Sequence, residues 1–72
     1  MINDLKVGTI IIDNDKFGII SSIVESGVWS EHKGFHLSKT YEIRYMDNLV
    51  SIITEKTMSH LLNSGRITIV VQ

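Results

Sequence analysis

The spacing of apolar residues divides the chain into short β-type segments and one helical segment. Residues 7–12 are rich in β-branched side chains and run into Asp13, Asn14 and Asp15, whose short polar side chains favour a turn by bonding nearby backbone groups. Residues 17–24 read as a second strand with apolar positions on both faces: Phe17, Ile19 and Ile23 at odd positions, Ile20 and Val24 at even ones. Gly18 is the expected place for that strand to bend. Periodicity lapses across residues 26–38, where Gly27 and Gly34 flank Trp29, His32 and Lys33, and a long hairpin loop is expected. Residues 40–46 restore strict alternation, with Tyr41, Ile43 and Tyr45 facing the core and Glu42 and Arg44 facing away. Asp47 and Asn48 suit a tight hairpin turn, since Asn tolerates positive φ, and residues 49–53 follow as strand four.

The period then changes. Met58, Leu61 and Leu62 fall at i, i+3 and i+4, Thr54 or Thr57 can cap the first turn, and Gly65 stands where a left-handed terminating residue belongs. A helix is expected over 57–64. Residues 66–71 return to β-branched side chains, with Ile67, Ile69 and Val71 on one face and Thr68 and Val70 on the other. The order is β-β-β-β-α-β. It predicts one all-β domain over residues 1–72, a small five-stranded bent antiparallel barrel with one short helix before the last strand.

Composition narrows the function more than the fold. A 43% hydrophobic content suffices for a folded core, but a domain of 72 residues buries only about 60% of the surface its unfolded chain exposes. The chain has no cysteine, so disulfides cannot make up the deficit, whereas self-association can. Cysteine absence also fits a reducing compartment. No apolar run approaches the ~20 residues that cross a bilayer, and Met1, Ile2, Asn3 and Asp4 lack the opening of a secretory signal. A soluble cytoplasmic protein with no membrane partner is expected. Seven Lys and Arg against eight Asp and Glu give a net charge of −1, which offers no general attraction to nucleic acid or anionic lipid.

Val7 and Gly8 followed by Ile10, Ile11 and Ile12, then Phe17, Gly18, Ile19, Ile20 and Ile23, resemble the opening of the SH3-like small barrels of the Tudor, KOW and Sm-like class. More loosely the chain resembles the small Sm-like proteins of marine bacteriophages, which would place it in a host cytoplasm. The resemblance covers residues 5–71 and implies a binding role. Sm-like domains close into rings through their edge strands, and Ile67, Ile69 and Val71 lie in a final strand without charge or proline to discourage such pairing. The RNA-binding Asp, Asn and Arg-Gly of Sm proteins have no counterpart here, so RNA recognition is not carried over. Residues 1–6 are too short for the Sm N-terminal helix, and the helix at 57–64 exceeds the single turn usual in Tudor and KOW domains.

Candidate chemistry is sparse. His32 and His36 with Glu31, and His60 or Asp47 beyond, invite a metal, but Gly34 places the pair in a loop and a structural zinc needs four ligands. Asp13, Asp15 and Gly18 match three positions of a calcium loop, yet Phe17 and Val24 stand where further oxygen ligands are required. Ser59 beside His60 does not face it on a helix, Ser38 with His36 is no better placed, and the glycines are too scattered to cradle phosphate. No metal, cofactor or enzymatic activity is expected.

Binding candidates remain. Trp29 and Phe35 either fold back over an open end of the barrel or stand exposed as an interaction hot spot, with Lys33, His36 and Lys39 adding positive charge that Glu25 and Glu31 partly cancel. An aromatic cage for a methylated cation would require Tyr41 or Tyr45 to leave the core and join Trp29. The expected function is a self-associating adaptor whose loop between strands two and three, through Trp29, Lys33, Phe35 and His36, engages a protein partner in preference to RNA or DNA. A purely structural assembly subunit is the third reading.

Overall fold

The computed structural model describes residues 5–71; residues 1–4, which carry the leader reading and most of the N-terminal-helix reading made on residues 1–6, and Gln72 lie outside the described residues. The elements are β1 (Ile10–Asp13), β2 (Lys16–Ser30), β3 (Gly34–Tyr45), β4 (Val50–Thr54), α1 (Glu55–Asn63) and β5 (Ile67–Val71). The chain is mostly β, and its five strands form a single antiparallel sheet in the order β4-β3-β2-β1-β5. Helix α1 connects the two end strands of that sheet and packs against β3, β4 and β5.

Turn chemistry sets the hairpins. Asn14 (φ 57°) and Asn48 (φ 69°) take the left-handed conformation that Asn tolerates, and the Asp47 carboxylate accepts a hydrogen bond from Leu49 N at 3.1 Å. Helix α1 begins at Glu55 rather than Thr57 because Thr54 is the cap: its hydroxyl accepts from Thr57 N at 3.3 Å. Gly65 (φ 81°) terminates the helix and donates from its backbone N to Leu62 O at 3.2 Å.

The core lies between the inner face of the sheet and α1. Ile11, Ile20, Tyr41, Ile43, Tyr45 and Ile67 from the strands meet Met58 from the helix and Leu5 from the N-terminal segment, with Leu61 and Leu62 half-buried at its margin. Burial of Tyr41, Ile43 and Tyr45 is the alternation of residues 40–46 realised in space.

Two irregularities depart from the simple period. In β2 the register shifts between Ile20 and Ser22, so that Ser21 is an extra residue, and its hydroxyl donates to the Glu42 carboxylate at 2.9 Å. This extra residue, unforeseen from the sequence, lies three positions beyond the glycine expected to bend the strand. Gly18 instead gives room: a Cβ there would stand 2.9 Å from Ile43 Cγ2. In β5 the register shifts opposite Ile10 and Ile11, so Ile69 pairs with Ile11 but Val71 pairs with Ile10. Ile67 and Ile69 therefore share the inner face, while Val71 moves off it and is 53% exposed. The grouping of Ile67, Ile69 and Val71 on one face is corrected accordingly.

Candidate functional site

The segment expected as a long loop is a two-stranded arm. β2 and β3 stay paired from Ser26↔Ser38 out to Ser30↔Gly34, leaving only Glu31, His32 and Lys33 as the turn. The turn is fastened by Lys33 N donating to Ser30 Oγ at 3.1 Å, and Gly34 (φ 66°) supplies its left-handed residue. Glycines and serines there hid a strand pair whose backbone bonds need no apolar period.

Ser21 decides which way the arm faces. Before this extra residue the inward positions of β2 are even, Gly18 and Ile20; after it they are odd, beginning with Ile23 opposite Tyr41. Continuing outward, Glu25 stands opposite Lys39, Gly27 opposite Leu37, and Trp29 opposite Phe35, all on the extension of the core-side face. The opposite face carries Val24, Ser26 and Val28 against Thr40, Ser38 and His36.

Trp29 and Phe35 are 73% and 71% exposed, so of the two readings open from the sequence the chain takes the exposed one. Phe35 lies across Gly27, its ring occupying the space a Cβ would fill; Leu37 is exposed on the same face of the arm, and Val24 and Val28 are exposed on the opposite one. The arm gives the chain its length, 38 Å against 22 and 19 Å in the other directions, and its radius of gyration of 12.6 Å exceeds the ~11 Å of a compact chain this long. Tyr41 and Tyr45 remain in the core and form no cage with Trp29.

Lys33 and His36 do not join the aromatic pair. They border a groove of about 790 Å³ between β3 and α1, whose other wall includes Glu55, Lys56 and His60. The His36 ring Nδ1 is 3.2 Å from Gly34 O. The sequence does not single out Lys56, and His60 enters there only as a possible metal ligand or as the neighbour of Ser59, because their proximity to Lys33 arises only when α1 folds beside β3.

A second feature is a polar recess of about 350 Å³ at the β1–β2 turn. Tyr45 donates its hydroxyl to Asp13 Oδ2 at 2.7 Å, and Arg66 Nε donates to Asp13 Oδ1 at 3.1 Å. Burial first, then the hydrogen bond to Asp13, holds the Tyr45 phenol above its ordinary pKa. Asp13 is thereby a structural anchor. Lys16 pairs with Asp47 at 3.1 Å across the same end of the sheet, and the hydrogen bond from Leu49 N, then that from Lys16, lowers the Asp47 pKa. Among the described residues no group of three His, Cys, Asp or Glu side chains is placed to hold a metal ion.

The outer face of the sheet is unusually apolar. Cross-strand register aligns Val50, Arg44, Ile19, Ile10 and Val71 in one row, and Phe17 and Met46 flank a groove of about 380 Å³ beside it. Phe17, Ile19, Met46, Val50, Ile52 and Val71 are all exposed. Of the β5 residues expected at an oligomer edge, only Val71 reaches this face: Ile69 is half-buried against the core, and Ile67 is 2% exposed and belongs to it. Among the described residues no helix is long and apolar enough to cross a membrane. No family model, curated protein or solved structure matches the chain.

Proposed function

We propose that this chain is a small non-catalytic binding module of the SH3-like barrel class that engages a protein partner through the end of the β2–β3 arm and also self-associates. The observation that carries the reading is the aromatic pair: Trp29 and Phe35 stand directly opposite each other at the arm's end, on a scaffold whose core closes without them. Aromatic rings of this size bury about 150–250 Å² each, and Trp is enriched among the few residues that dominate binding energy. Leaving both in water gains the isolated fold nothing.

A protein partner is favoured over RNA or DNA because the chain carries a net charge of −1 and the arm alternates Glu25 with Lys39 where a phosphate track would need cations alone. The strand order β4-β3-β2-β1-β5, with a helix between its two ends, supports the barrel class. Self-association is supported by the apolar outer face and by two end strands, β4 and β5, without a charged residue in either.

Replacing Trp29 by Ala tests the arm. The melting temperature is expected to change by no more than about 2–4 °C, as befits a surface substitution, while capture of a partner purified on the wild-type chain is lost. A large loss of stability with binding retained would remove the arm from the functional reading. Light scattering across a concentration series reads self-association, and a monomer at every concentration would eliminate that half of the proposal.

A further inference from the structure

β3 outruns its neighbour. Its pairing with β4 ends at Thr40↔Thr54, the chain turns into α1 at Glu55, and residues 34–39 of β3 pair with β2 alone. At ~3.4 Å per residue this is about 20 Å of strand with one edge open. The 790 Å³ groove runs beside that edge. Its lining sets the two ammonium groups of Lys33 and Lys56 against the single carboxylate of Glu55, a local excess of positive charge in a chain whose net charge is −1.

We propose that this groove receives an extended acidic peptide segment of a protein partner, added as a strand to residues 34–39 of β3 in line with β4. The proposal rests on the protein-binding reading and names the chemistry of the partner. Main-chain hydrogen bonds along the open edge supply affinity irrespective of sequence, and alternate side chains of the peptide point towards α1, where carboxylates meet Lys33 and Lys56. Leu37 gives the groove an apolar wall for an intervening side chain.

Other occupants fit less well. A nucleic-acid strand would bring phosphates past the fixed carboxylate of Glu55 with only two lysines to neutralise them. An edge strand from a second copy satisfies the backbone but not the charge, because neither β4 (VSIIT) nor β5 (ITIVV) contains an acidic residue.

The test uses the full chain and a fluorescein-labelled nonapeptide alternating glutamate with valine. Its lysine–valine counterpart and an oligothymidylate of equal length are the comparisons, all read by fluorescence anisotropy. The acidic peptide alone is expected to bind, with affinity falling several-fold between roughly 20 and 300 mM salt. Each of K33E and K56E should weaken it about five-fold or more. Hydrogen exchange should slow at those backbone amides of residues 34–39 that face the open edge rather than β2, and N-methylation of alternate peptide amides should abolish binding.

Failure of the acidic peptide to bind, equal binding of the lysine–valine peptide, tighter binding of oligothymidylate, or unchanged exchange at residues 34–39 would each overturn the proposal. The arm-end reading is scored separately by Trp29→Ala. If Trp29→Ala abolishes partner capture but the acidic peptide does not bind, only the groove proposal falls. If the peptide binds and Trp29→Ala is silent, the groove stands and the arm end does not.

Discussion

Two glycines on β2 offer a controlled comparison, since Gly18→Ala and Gly27→Ala add the same methyl group on the same strand. At Gly18 the new Cβ would stand 2.9 Å from Ile43 Cγ2 and 3.1 Å from Tyr45 Cδ1, atoms of two buried core residues. Ile43 is stiff at its branched carbon and enclosed on every side, so the contact is relieved only by displacing packed neighbours, at about 1–3 kcal/mol. At Gly27 the new Cβ would stand closer still, 2.5 Å from Phe35 Cζ, but that atom is the end of an exposed ring free to swing into water. Neither glycine has positive φ, so alanine fits both backbones and restricts the unfolded chain equally.

Gly18→Ala is therefore expected to cost about 2 kcal/mol, out of the roughly 4–11 kcal/mol typical of 72 residues, and to lower the melting temperature by about 8–16 °C. Gly27→Ala should fall within about 0.5 kcal/mol of wild type while displacing the Phe35 ring. Urea unfolding followed by far-UV circular dichroism measures both; Trp29 fluorescence is a poor probe because the indole is already exposed when folded. If Gly27→Ala proved as damaging as Gly18→Ala, the packing assigned to Phe35 would be refuted. A neutral Gly18→Ala would refute the close approach of β2 to Ile43.

Tyr45→Phe removes the donor to Asp13 Oδ2, leaving a carboxylate oxygen without that partner, and should cost about 1–2 kcal/mol near neutral pH. Tyr45 and Tyr41 both have raised pKa values, in each case chiefly through burial, with Glu55 adding to the effect at Tyr41. The folded state thus holds these protons more tightly than the unfolded state: the contribution is complete below the ordinary phenol value of about 10 and is lost as pH rises through the folded values above it. Urea midpoints should fall above about pH 10, less steeply in Tyr45→Phe, and a pH-independent midpoint in that range would count against the buried phenols. Thr54→Ala deletes the acceptor for Thr57 N and should lower stability by about 1 kcal/mol, read as a drop of about 4–8 °C in melting temperature; an unchanged value would mean that the cap contributes nothing.

The order of elements, the inward set of Tyr41, Ile43 and Tyr45, the left-handed Asn48 and the capped helix were all legible in the sequence, because each depends on contacts within a few residues or on a strict local period. Of the candidate site, the sequence supplied its residues but not its form. Trp29, Lys33, Phe35 and His36 could be named from an aromatic-rich stretch between glycines, yet nothing local distinguishes a loop from two mutually paired strands, since the bonds that make the arm join residues up to twelve apart from Ser26↔Ser38 inward to the turn.

Tertiary structure alone decided the rest. The mixed apolar faces of residues 17–24 are the trace of an extra residue at Ser21, which exchanges inward and outward positions and turns Trp29 towards the core side. The shift in β5 likewise sends Val71 away from Ile69. Lys33 and His36 acquire Lys56 and His60 as neighbours only because α1 folds beside β3, bringing together side chains twenty or more residues apart. Local pattern is enough to form an element and choose its buried side; pairing register and the meeting of distant elements settle which surface the exposed side chains share.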